Sequence, residues 1–100
     1  MTTERREGEQ MIQKPTIHLN GTSPEALLDA YKVATGALRR AIECLHDAAP
    51  NARDYYPQGD DATRAATREH VSRAERLRSV LEELFELYEH VSDQADARKR

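Results

Sequence analysis

The chain contains one cysteine, one phenylalanine and no tryptophan. A lone thiol cannot close an internal disulfide, so Cys44 staples nothing and a reducing compartment is the natural setting. With so few large aromatics, the core must come from Leu, Ile, Val, Ala and Tyr. No apolar run approaches the roughly 18 residues a membrane span needs. The opening MTTERREGEQ is polar and lacks the apolar stretch of a secretory signal. These absences lead to the expectation of a cytoplasmic protein with no membrane partner.

Chemistry is equally sparse. The four histidines are scattered, no His-Glu-x-x-His occurs, and one Cys is too few for a metal site. No spacing assembles a nucleophile with a base, and no P-loop or dinucleotide glycine pattern is present. We therefore expect a binding protein without cofactor or metal, not an enzyme.

What is present is helical patterning on a length that allows one domain. Residues 1–10 are charged, carry no apolar anchor and are expected to be a disordered tail. Residues 11–97 form the domain. Ile17 and Leu19 alternate with His18 and Asn20, the period of an extended segment with one buried face, and Gly21 ends it. Ser23 before Pro24 reads as a helix N-cap with proline at the first position; Thr22 with Glu25 is a competing capping box. The first helix is predicted over about 24–48, stopping before Pro50. Leu28, Tyr31, Thr35, Leu38, Ile42 and Leu45 recur at alternating spacings of three and four, a coiled-coil seam with one polar position. Two rows of small residues run beside it: Leu27, Ala34, Ala41, Ala48 and Ala30, Ala37, Cys44.

Residues 50–59, rich in proline, glycine and asparagine, are read as an irregular turn. Asp60 or Asp61 caps a second helix over about 61–95. Its seam is Thr63, Thr67, His70, Ala74, Leu77, Leu81, Leu84, Tyr88, Val91 and Ala95, widened by Val80, Phe85 and Leu87. With the turn centred near residue 55, facing positions should sum to about 110. Glu-His-Val-Ser occurs at 69–72 and again at 89–92, a spacing that is no multiple of seven, and reads as coincidence. The fold class is all-α: a long antiparallel helical hairpin with a short extended N-terminal segment. Its apolar faces are too wide to satisfy each other, so it should assemble into an oligomeric helical bundle.

Charge is polarised beneath a net −3. Residues 62–78 carry five arginines against Glu69 and Glu75, whereas residues 79–96 carry six acids and no base. Helix dipoles favour the reverse order. Two explanations stay open: a basic tip that binds an anion, or assembly in which one protomer's basic tip meets another's acidic end. Arginine outnumbers lysine twelve to three, which suits planar recognition of phosphate but equally follows from a GC-rich genome.

Two loops offer candidate ligand-binding residues. In the turn, Arg53 supplies a fork for phosphate, Tyr55 and Tyr56 supply stacking surfaces, and Gln58 can read a base edge. A plain alternative is a tyrosine plug with Arg53 paired to Asp54. Before the first helix, His18, Asn20, Thr22 and Ser23 offer an imidazole, an amide and hydroxyls beside free helix-start N–H groups. Turn formation and capping explain Asn20, Thr22 and Ser23 without a ligand; they do not explain His18. His70 and Arg73 sit near the tip and are added to the set, although a seam histidine is commonly a core residue. His46 and His90 read as ordinary surface residues. The loops lie at opposite ends of one hairpin, so a shared site requires two protomers packed antiparallel.

The segments I-H-L-N-G-T-S at 17–23 and P-N-A-R-D-Y-Y-P-Q-G at 50–59, with Ala66, His70 and Arg73 beyond, resemble a group of short phage- and prophage-encoded helical proteins. The resemblance spans about residues 16–92. Small oligomeric phage proteins of this style include sponges for the cyclic nucleotide signals of bacterial immunity, the anti-CBASS type. It implies a homo-oligomer that sequesters an anionic small molecule such as a cyclic nucleotide in interprotomer pockets, in the cytoplasm of an infected bacterium. The alternatives are a protein-interaction inhibitor of the anti-CRISPR kind, whose acidic end mimics nucleic acid, and a coiled-coil adaptor without ligand. Duplex nucleic acid is not an expected partner, because half the second helix repels phosphate.

Overall fold

The computed structural model describes residues 12–99; the expected disordered stretch over 1–10 lies outside them. Helix α1 spans Pro24–Asp47, a short helix α2 spans Ala52–Tyr55, a single 3-10 turn covers Tyr56–Gln58, and helix α3 spans Ala62–Arg98. No strand occurs among these residues, and no helix is long and apolar enough to cross a membrane. The shape is elongated, 63 × 33 × 19 Å, with α1 packed along α3.

Local chemistry accounts for the helix ends. Ser23 has extended backbone and its hydroxyl accepts from the Ala26 N–H at 3.1 Å, with Pro24 supplying a preset first position. α1 then stops at Asp47, ahead of Pro50. The turn is more ordered than its composition suggests. Asn51 accepts from the Arg53 N–H at 2.9 Å, which nucleates α2, and Gly59 at φ 111° ends the 3-10 turn. That backbone region is open essentially to glycine alone. Asp61 stands at the N-cap of α3 but makes no capping bond; its carboxylate pairs with Arg64 instead.

The α1 seam is as expected: every one of its six positions is half-buried or buried. The buried hydroxyl of Thr35 donates to the Lys32 carbonyl at 3.0 Å, so the polar position is satisfied within its own helix. On α3 the seam holds except at Thr67, which is exposed and donates to the Thr63 carbonyl at 2.8 Å; Ala66 takes the inward place. Val91 is the only fully buried side chain among the described residues (0% exposed), whereas Val71 in the sister Glu-His-Val-Ser stands 47% exposed. Twenty residues turn a helix by about 200° beyond whole turns, so the two copies face opposite ways, as coincidence requires.

The register differs from the expected one. A pairing sum of 110 sets Arg39 opposite Val71. Yet the Arg39 guanidinium lies over the Phe85 ring, 5.1 Å from its centre. Phe85 is fourteen residues further, about 21 Å along α3 at 1.5 Å per residue, beyond the joint reach of the two side chains. Positions 39 and 85 put the sum near 124. Asp47 then faces Leu77, and residues 62–76 run past the end of α1. Residues 48–61 carry on past the end of α1 along this overhang, where α2 and the 3-10 turn pack against α3.

The N-terminal segment fixes the other end. Lys14 Nζ pairs with Glu86 at 2.9 Å, His90 Nε2 donates to the Pro15 carbonyl at 2.8 Å, and the Ile17 N–H donates to Gln94 Oε1 at 2.9 Å. Three extended residues cover about 10 Å and eight helical ones about 12 Å, so the segment runs alongside α3 in the same direction. Ile17 is buried, but Leu19 is 91% exposed. The expected alternation fails there because the chain turns: the Gly21 N–H donates to the His18 carbonyl at 3.1 Å. His90, read as a plain surface residue, is instead half-buried and anchors this segment.

Candidate functional site

The candidate residues fall into two groups. At the start of α1, His18, Asn20, Thr22 and Ser23 are all exposed. Ser23 is engaged as the cap. The His18 ring folds over Gly21, so that a Cβ added there would stand 2.9 Å from His18 Nε2. The imidazole is thus held across a bare glycine by the tight turn.

At the other end, Arg53, Tyr56 and Gln58 are exposed and Tyr55 is half-buried. Tyr56 presents 72% of its surface. The Asn51 cap at one side and Gly59 at the other hold this turn, so the phenol is displayed by ordered backbone. Only Tyr55 fits a plugging role. His70, half-buried, and Arg73 lie on the α3 overhang that this turn packs against. Arg73 reaches the Glu69 carboxylate at 3.7 Å, a loose exposed pair. Arg76 Nε donates to the Ser72 carbonyl at 3.3 Å. The basic tip is therefore partly occupied with its own helix, and its remaining guanidinium surface faces solvent.

The two groups do not meet within one chain. The 24 residues of α1 separate them by about 36 Å. Among the described residues no three His, Cys, Asp or Glu side chains gather as a metal-holding group. The arrangement can present a planar cation and an aromatic face together at the tip, and a glycine-backed imidazole at the far end. Comparison with known protein families, curated proteins and solved structures yields no match.

Proposed function

We propose that this chain is a non-catalytic, self-associating binding protein that sequesters an anionic, nucleotide-type small molecule, of the cyclic oligonucleotide class, as phage-encoded sponges do. The carrying observation is Tyr56, 72% exposed on a capped turn whose neighbours Arg53 and Gln58 are exposed as well. A stacking face, a guanidinium fork and an amide within six residues match the base, phosphate and base edge of a nucleotide. His70 and Arg73 line the approach from α3. His18, Asn20 and Thr22 complete the pocket from a second protomer, since a single chain holds them too far away.

Thermal denaturation against a panel of cyclic di- and trinucleotides tests this. A bound member at one hundred times its Kd adds about 2.7 kcal/mol of stability, and Tyr56→Ala abolishes most of that gain. A panel without effect, or an effect that Tyr56→Ala and Arg53→Ala leave unchanged, rejects the reading.

A second reading, a protein-interaction inhibitor, has its own support. Phe85 stands 38% exposed in a helix half that carries Glu82, Glu83, Glu86 and Glu89 at the surface. An acidic surface with one aromatic anchor suits a basic protein groove, and binding lost in Phe85→Ser would favour it.

A further inference from the structure

Helix α1 has a second apolar face, and the hairpin leaves it bare. Successive helical residues turn by about 100°. Ala26, Ala30, Val33, Ala37, Ala41 and Cys44 therefore share one stripe, roughly a third of a turn from the seam that meets α3. All six are exposed, Val33 by 65%. The stripe runs about 27 Å along the helix at 1.5 Å per residue, and no charged side chain falls within it. Exposed helix faces in this chain otherwise carry charge: a third of all its residues are Asp, Glu, Lys or Arg.

We propose that this face is the contact surface for a second copy of the same chain, packed antiparallel, α1 against α1. Two features select that occupant. Small side chains throughout make the stripe complementary to itself and allow close approach of two backbones, as an isologous contact needs. The charges bordering it are complementary too. Asp29 and Arg40 flank the same edge. When facing positions sum to about 71, Ala30 meets Ala41 of the partner subunit, and Asp29 comes within about 3 Å of axial register with Arg40 of the partner subunit. The twofold axis repeats that pair; Asp47, on the same edge, comes level with Pro24 of the partner subunit and finds no cation there. A parallel twofold contact would instead set this edge against the opposite edge of the other copy, where Leu27, Ala34 and Ala41 stand, and the Asp29–Arg40 pairs would be lost.

This arrangement specifies the assembly on which the shared-pocket reading rests. With the same sum, Ser23 lies opposite Ala48 of the partner subunit. The His18–Ser23 turn of one chain then sits at the same end as the turn of residues 50–58 of the other. The two groups that one chain separates are brought together by its pairing.

The test needs no nucleotide, so its failure is separable from failure of the ligand reading. Sedimentation of the full chain at micromolar concentration should give at least twice the 11.4 kDa chain mass. Ala37→Glu, an exposed change that leaves the α3 seam untouched, should give a helical monomer. Asp29→Arg and Arg40→Asp should each weaken association roughly tenfold by turning two attractive pairs into repulsive ones, and combining them should restore it. Ala26→Cys should crosslink to the native Cys44 of the partner on oxidation, whereas the wild-type chain should not crosslink. A monomeric wild type, an Ala37→Glu chain that stays associated, a double charge variant no better than the singles, or ready Cys44–Cys44 bridging would each overturn the proposal.

Discussion

Arg39 and Phe85 hold the hairpin in register: the guanidinium lies 5.1 Å from the ring centre, across the edge where α1 meets α3. An exposed cation–π contact contributes about 0.5–1 kcal/mol, so its value lies in position more than in strength. A double-mutant cycle over Arg39→Ala and Phe85→Leu should return a coupling of that size. Spin labels at Arg40 and Leu84 should be near neighbours under this register, whereas the symmetric pairing sum of 110 would part them by about 21 Å.

The N-terminal segment should be a clasp that opens without unfolding the helices. Gln94→Ala leaves the part-buried Ile17 N–H without its acceptor, and His90→Ala removes the donor to Pro15. Each loss is expected to cost about 1 kcal/mol. Amide exchange at Ile17 should accelerate in both variants while amides in the middle of α3 keep their protection. If the whole of α3 lost protection together, the clasp would be integral to the hairpin instead.

Burial differs sharply between the two Glu-His-Val-Ser copies, and stability should follow it. Val91→Ala empties a fully enclosed site and should cost about 2 kcal/mol. Val71→Ala removes a side chain already half in water and should change stability by no more than about 0.5 kcal/mol. Denaturant melts of the two variants settle the comparison; equal losses would contradict the packing described.

Two glycines should respond in opposite directions. Gly59 at φ 111° admits no Cβ without strain, so Gly59→Ala should destabilise by about 1–3 kcal/mol and loosen the turn that displays Tyr56. Gly36 lies inside α1 with open space around its would-be Cβ, and Gly36→Ala should stabilise by roughly 1 kcal/mol. A destabilised Gly36→Ala helix would mean that another surface approaches that position closely.

Much of the fold was legible because it is local. Ser23 and Pro24 announce α1, Pro50 closes it, and the three-and-four spacing from Leu28 to Leu45 marks its buried face. The register was not legible, because α3 outruns α1 by thirteen residues and nothing in residues 48–61 says that they carry on along the overhang to the start of α3. The docking of the N-terminal segment depends on partners 75 and 77 residues away, which no periodicity reveals. Leu19 misled the alternation because the turn at His18–Gly21 intervenes first. Of the candidate site, the residue types were readable in both loops. Their order was not: the display of Tyr56 depends on the Asn51 cap, and the posture of His18 on the bareness of Gly21.

A ligand site completed across two chains can be rebuilt by mixing subunits that are each defective in one loop. Arg53→Ala should lower affinity for the stabilising cyclic nucleotide roughly tenfold to a hundredfold through a lost charge-assisted contact of about 1.5–3 kcal/mol. His18→Ala, about 36 Å away within one chain, should weaken the same ligand. Each mixed pair carries one site in which both loops are unaltered. Titration after verified subunit exchange should therefore recover a fraction of full-affinity sites. Affinity that stays at the level of the separate variants in the exchanged mixture would contradict a pocket shared between protomers.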